Sequence, residues 1–197
     1  MIALLHRLRR DRRGATIVEF AIVAPVMLLL LMGLADLLYE GYVQSALTGA
    51  VQKAARDATI EGNGTTQNTD ALDAKVQAMV RKIAPAATFS STRKSYAYFG
   101  AAAPEPFVDT NHNGVRDAGE CFTDINGNGV WDSDPGANNQ GGASDVTMYT
   151  MTATYPRLFP IARMIGWPPR LTISAMTFLK NQPYATQIQK TQATICT

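Results

Sequence analysis

The sequence predicts an α+β protein in which a long N-terminal helix, membrane-spanning in its first half and amphipathic in its second, packs on a small antiparallel sheet. Three features predict it. An uncharged apolar run extends from Phe20 to Ala35; apolar residues at helical spacing continue beyond it; and short β-branched or aromatic segments occupy the second half of the chain.

The run FAIVAPVMLLLLMGLA carries no charge, and widening it to Ala15–Leu38 adds only Glu19 and Asp36. Those twenty-four residues, as a helix, rise about 36 Å, enough to cross a hydrocarbon core of roughly 30 Å with some tilt. Pro25 lies mid-span, where a helix can kink. His6, Arg7, Arg9, Arg10, Arg12 and Arg13 cluster directly ahead of the run. By the positive-inside rule this leader, residues 1–14, stays cytoplasmic, residues 15–38 span the membrane and residues 39–197 are extracytoplasmic.

A cleaved secretory signal peptide has the same outline, with the small residues Gly33 and Ala35 standing before Asp36. Against it, the apolar run is long for such a peptide and the helical spacing passes straight through that point. Tyr39, Tyr42, Val43, Ala46, Leu47, Ala50, Val51, Ala54, Ala55 and Ala58 form one stripe. One helix is therefore expected from Ala15 to Ile60, about 69 Å long, with Gly62 and Gly64 ending it.

The polar segment EGNGTTQNTD separates this helix from a second, expected over Ala71–Ile83. Its apolar face is Leu72, Val76, Met79, Val80 and Ile83, its N-cap is Asp70 or Thr69, and Pro85 stops it. Strands are expected at Ser95–Gly100, Val146–Tyr155 and Leu171–Leu179, with a short helix over Pro160–Ile165. The tail after Asn181 is ambiguous.

The stretch Arg12-Arg13-Gly14-Ala15-Thr16-Ile17-Val18-Glu19-Phe20 resembles a type IV prepilin processing site: a basic leader, a glycine, then an acid as fifth residue of the mature chain. RRGATIVEFAIVAPVMLLLLMGLADL is similar to the N-terminal segment of the TadE-like minor pilins, or pseudopilins, of tight-adherence pilus systems, and TFLKNQPY is loosely similar to their C-terminal segment. The resemblance implies a pilin-like fold, cleavage between Gly14 and Ala15 by a prepilin peptidase, and other pilins as partners. It also implies that Glu19 meets the mature N-terminal amine of a neighbouring subunit, here Ala15. Taken alone, Glu19 reads equally as an interfacial carboxylate snorkelling to the headgroups.

Residues 105–145 form an insertion that the short family core lacks. Asp109-Thr110-Asn111-His112-Asn113-Gly114-Val115-Arg116-Asp117-Ala118-Gly119-Glu120 fits the twelve-residue calcium loop at every defined place. Asp109, Asn111, Asn113, the Val115 carbonyl and Asp117 supply oxygens around a turn at Gly114, and Glu120 closes the shell. A second loop offers Asp124, Asn126, Asn128, the Val130 carbonyl and Asp132, but Pro135 stands at its closing place; Asp134 or Asp145 is a candidate replacement. Only Cys121, Phe122 and Thr123 separate the loops, so the pair resembles the tandem loops of dockerins or thrombospondin type 3 repeats more than an EF-hand switch. A solvated, turn-rich loop is the plain alternative.

Cys121 and Cys196 both fall on the outer side, where disulfides persist; they either bridge or remain two thiols. Closing the intervening loop stabilises a domain by about 4 kcal/mol on the chain-entropy model. The net charge of +2 is too small, and its arginines too concentrated at the membrane flank, to indicate nucleic acid. With histidine only at His6 and His112, and no Walker or dinucleotide glycine loop, no enzyme is expected.

The reading that results is a single-pass bacterial inner-membrane protein, cytoplasmic at its N-terminus, whose outer domain is periplasmic or displayed on a pilus. It is a minor pilin or pseudopilin of the Flp-type IV kind with structural calcium, acting in pilus assembly, adhesion or secretion. A single-span receptor or adhesin, and a secreted calcium-binding protein, are the alternatives.

Overall fold

The computed structural model describes residues 14–61, 66–142, 144–164, 166–181 and 192–196. The basic leader ahead of Gly14 and the terminators Gly62 and Gly64 lie outside the described residues. The elements are α1 (Ala15–Glu61), α2 (Thr66–Arg81), β1 (Thr88–Tyr96), β2 (Cys121–Asp124), β3 (Val146–Pro156), the short α3 (Ile161–Met164), β4 (Arg170–Lys180) and β5 (Ala193–Cys196). A 3₁₀ turn, Phe99–Ala101, follows β1. By residue contacts the chain forms two compact units: one holds the chain up to Tyr42 together with Pro156–Leu171, the other holds Val43–Tyr155 and the chain from Thr172 onward.

In the first unit, α1 runs through Pro25 without a break. Its apolar side chains lie outward: Ile17, Phe20, Ile22, Leu30 and Leu38 are among the most exposed. Water is a poor solvent for such a surface, whereas hydrocarbon is a good one. Among the described residues, α1 is one helix long and apolar enough to cross a bilayer, over Thr16–Ala58. This supports a single-pass anchor.

In the second unit, Val43, Leu47, Ala50, Val51 and Ala54 of α1 are buried at steps of three and four. Tyr42, expected on this stripe, falls in the first unit and is 60% exposed. Gln44 Nε2 donates to the Ser174 carbonyl of β4 at 3.0 Å, and a cleft lined by Ala54, Ala58, Leu72, Arg93, Tyr149 and Leu179 marks where α1, α2 and the sheet converge.

The sheet has the order β1-β3-β4. β1 and β3 pair antiparallel from Thr88↔Thr154 to Tyr96↔Val146. In β3 the alternation is plain, with Tyr149, Met151, Ala153 and Tyr155 buried and the intervening threonines partly open, because one face covers the core and the other meets solvent. The first strand starts at Thr88 and ends at Tyr96, well ahead of the expected Ser95–Gly100, since TFSSTRKSY is an edge strand with polar residues on both faces and shows weak hydrophobic alternation. Helix α2 likewise begins at Thr66, five residues before Ala71, and ends at Arg81. β2 and β5 pair antiparallel as a separate ribbon. The architecture is therefore α+β, a long apolar helix with small antiparallel sheets.

A buried polar knot ties α2 to the sheet. Asp73 Oδ1 accepts from Tyr149 Oη at 2.6 Å and from Arg93 at 2.5 Å, while Arg93 also donates to the Thr69 carbonyl and stacks 4.5 Å from the Tyr149 ring centroid. Burial, then the bond to Asp73, raises the Tyr149 phenol above its ordinary value. Burial, then the bond to and charge of Asp134, pushes Tyr96 up to about 12. Both phenols therefore hold their protons to higher pH in the folded chain than in the unfolded one, where tyrosine ionises near 10. Their contribution is complete below pH ~10 and is lost at about 1.4 kcal/mol per pH unit per tyrosine as pH rises towards the folded values. Denaturant midpoints followed between about pH 9 and 12 should fall steeply, and Tyr96→Phe with Tyr149→Phe should flatten that slope.

Candidate functional site

Gly14 is the first described residue and α1 begins at its neighbour Ala15. Among the described residues, a Cβ added at Gly14 would meet nothing within 4 Å. Glu19 stands exposed on the next turn of the helix. Thus the glycine, the helix start and the acid follow one another at the foot of the apolar segment.

The acidic segment between Asp109 and Asp134 holds two loops of the same backbone shape. Gly114 and Gly129, at the sixth place of each loop, have φ +78° and +80°, and the fourth places, His112 and Gly127, are also left-handed, at 60° and 74°. The sixth place demands this conformation and glycine adopts it without a Cβ clash. In the first loop, Asp109 accepts from the Asn113 and Gly114 amides at 3.1 and 2.8 Å. Asn111 and Asn113 each bring a side-chain amide to 2.7 Å from Asp117 Oδ2. In the second loop, Asp124 accepts from Gly127, Asn128 and Gly129, and Asn126 and Asn128 approach Asp132 Oδ2 at 2.7 and 2.6 Å.

The closing residues show the correspondence best. Glu120 Oε1 accepts from the Thr110 amide at 2.7 Å and Oε2 from the Asp117 amide at 3.0 Å, the second and ninth places of its loop. At the second and ninth places of the other loop, the Ile125 and Asp132 amides donate to Glu105 Oε1 and Oε2 at 2.7 and 3.0 Å. Glu105 is 1% exposed and comes from ahead of the first loop. Asp134 instead pairs with Lys94 and Tyr96, and Lys94 first among its neighbours holds its carboxyl below the ordinary value. Asp145 accepts from the Gly142 amide at 2.7 Å. Nothing in the spacing pointed to Glu105, because a closing carboxylate is sought downstream of its loop.

The segment bearing Glu105 is held against the loops by main-chain bonds: Val108 N donates to the Cys121 carbonyl and Thr123 N to the Pro106 carbonyl, both at 2.8 Å. Trp131 Nε1 donates to the Glu105 carbonyl at 2.8 Å, and its ring meets Phe107 edge-on at 6.0 Å. Cys121 and Cys196, opposite one another in the β2–β5 ribbon, are joined as a disulfide with S–S 2.09 Å.

Among the described residues, no three His, Cys, Asp or Glu side chains gather as a metal cluster. A cation in either loop would have to draw on amide and main-chain oxygens as well as carboxylates. The donor set suits this in kind: it is all oxygen, with no thiolate or imidazole on the inward places, as a hard divalent cation requires. Asn111, Asn113, Asn126 and Asn128 would present oxygen by turning their amides over.

Residues 14–56 match the family model described as TadE-like protein. No curated protein and no solved structure matches the chain. The TadE-like match begins at Gly14, covers Ala15, Glu19 and the apolar run, and ends at Arg56 within the buried stripe of α1. It supports TadE-like kinship for that segment and does not reach the looser likeness at Thr177–Tyr184.

Proposed function

We propose that this chain is a minor pilin or pseudopilin of a tight-adherence, Flp-type IV pilus system. The prepilin peptidase cuts between Gly14 and Ala15, the apolar helix keeps the subunit in the inner membrane, and the outer domain faces the periplasm or the pilus surface. Its role is in assembly, adhesion or secretion and is structural, not catalytic. The observation that supports this best is a coincidence of boundaries: the TadE-like match starts at Gly14, the residue directly before the first turn of α1. In this reading Glu19 receives the freed amine of Ala15 on a neighbouring subunit, which neutralises a carboxylate that hydrocarbon disfavours.

We further propose that the two acidic loops bind calcium as structural stiffening outside the cytoplasm. Asp109, Asn111, Asn113, Val115, Asp117 and Glu120 serve the first ion. Asp124, Asn126, Asn128, Val130 and Asp132 serve the second, with Glu105 as the closing acid. Extracellular loops of this kind hold calcium at about 10⁻⁴ to 10⁻³ M.

The test is the N-terminus of protein extracted from membranes. A mature chain beginning at Ala15 is expected, with Glu19→Ala recovered alongside other pilus components at a yield lower by roughly tenfold, as the loss of an intramembrane charge partner implies. An intact Met1 would indicate an anchored receptor, and a start near Asp36 a secreted protein.

A further inference from the structure

Segment Pro156–Leu171 belongs to the same compact unit as the apolar half of α1. The Arg157 side chain helps to fasten it there. The Arg157 guanidinium forms an ion pair with Asp36, donates to the Pro168 carbonyl at 3.3 Å and lies 5.2 Å from the centroid of the Trp167 ring. The Arg157 amide donates to the Pro169 carbonyl at 3.1 Å, so both ends of the excursion are drawn to one point on the helix.

That point has a defined depth. From Glu19 to Asp36 the helix rises about 26 Å, close to the thickness of a hydrocarbon core. With residues 15–38 as the span, Asp36 lies two residues, about 3 Å, inside its outer end. Asp36 is 4% exposed, so the segment covers its charge at the level where a bare carboxylate is disfavoured. Whatever else the segment displays is then displayed at the bilayer surface. It displays Leu158, Met164 and Trp167, exposed by 57%, 69% and 45%, with an outward Arg163. Between Pro156 and Leu171 there are three arginines and no acid. Tryptophan with apolar and basic side chains is the chemistry of the headgroup boundary, where rings sit among glycerol groups and arginines reach phosphates.

We propose that Pro156–Leu171 is a second membrane contact, lying in the outer-leaflet interface of the bilayer that α1 crosses, with Trp167, Leu158 and Met164 entering the boundary and Arg163 on lipid phosphates. The proposal rests on the reading of residues 15–38 as a membrane span.

The probe is Trp167. The chain has two tryptophans, so Trp131→Phe leaves Trp167 as the sole tryptophan, excited at the long-wavelength edge where tyrosine does not absorb. Full-length protein, its fold checked by circular dichroism, is placed at one chain per nanodisc in phosphatidylethanolamine and phosphatidylglycerol, with lipids brominated at a shallow or a deep acyl position. Shallow bromine should quench Trp167 roughly twofold or more, and deep bromine less, as interfacial rings require. The added substitutions Leu158→Asp and Met164→Asp should weaken this quenching. Emission quenched by aqueous acrylamide but not by shallow bromine overturns the proposal. So does shielding that appears only with many chains per vesicle, which would put another protein on this face. Flotation with vesicles that survives a carbonate wash tests the span separately: protein that floats but is not quenched refutes this contact alone, whereas protein that does not float removes the span and the contact together.

Discussion

Replacing Asp73 by alanine should lower the unfolding free energy of the outer domain by about 3–5 kcal/mol, because it leaves a buried guanidinium without its counter-charge. Arg93 and Asp73 have side chains exposed by only 14% and 12%. Arg93 would keep the Thr69 carbonyl and the Tyr149 ring, neither of which neutralises it. Tyr149 would lose the acceptor for its hydroxyl, and Ser91 would lose its partner as well. In thermal melts the loss corresponds to a midpoint lower by about 10 °C for a domain of this size. Tyr149→Phe removes one hydrogen bond without stranding a charge and should cost about 1–2 kcal/mol. A melt of Asp73→Ala within a degree or two of native would mean that the knot contributes little and that apolar burial alone sets the position of α2.

The knot also shows which kinds of structure can be read along a chain. Helix α1 was legible because its evidence is local: an uncharged run long enough for a bilayer, then Val43, Leu47, Ala50, Val51 and Ala54 at steps that only a helix places on one face. The acidic loops were legible for the same reason, since the turn at the sixth place needs glycine and Gly114 and Gly129 supply it. What escaped was decided by partners far along the chain. Asp73 and Tyr149 are separated by 76 positions, and Asp36 and Arg157 by 121; neither pair leaves any periodic trace. β1 was misplaced because its hydrogen bonds to β3, not its own alternation, define it. β5 is four residues long, made a strand by the ribbon it joins with β2. Sequence periodicity thus located the surfaces that face oil or core. It was blind to the polar contacts that fix how the elements meet.

Glu105 belongs to that second class, and altering it should have a double effect. In calcium-free solution, Glu105→Ala strands the Ile125 and Asp132 amides, each of which now donates to a carboxylate that is almost wholly buried. Two unsatisfied donors cost about 2–5 kcal/mol together, reduced by whatever water enters the gap. The second loop should therefore loosen before any ion is considered, and limited proteolysis should cut near Asn126 and Asn128 first. Adding calcium separates the two roles. At ten times its dissociation constant an ion bound only by the folded state adds about 1.4 kcal/mol per site. Native protein with millimolar calcium should resist cleavage across residues 105–145 several-fold better than with chelator. Glu105→Gln retains oxygen and shape but sheds the charge; it should leave the first loop's protection intact and weaken calcium protection of the second roughly tenfold, with Glu120→Gln giving the mirror result. Asp145→Asn should change neither, since that carboxylate serves Gly142. Equal cleavage of native protein with calcium and with chelator would leave Glu105 as a purely structural peg, holding the second loop to the segment ahead of the first through hydrogen bonds alone.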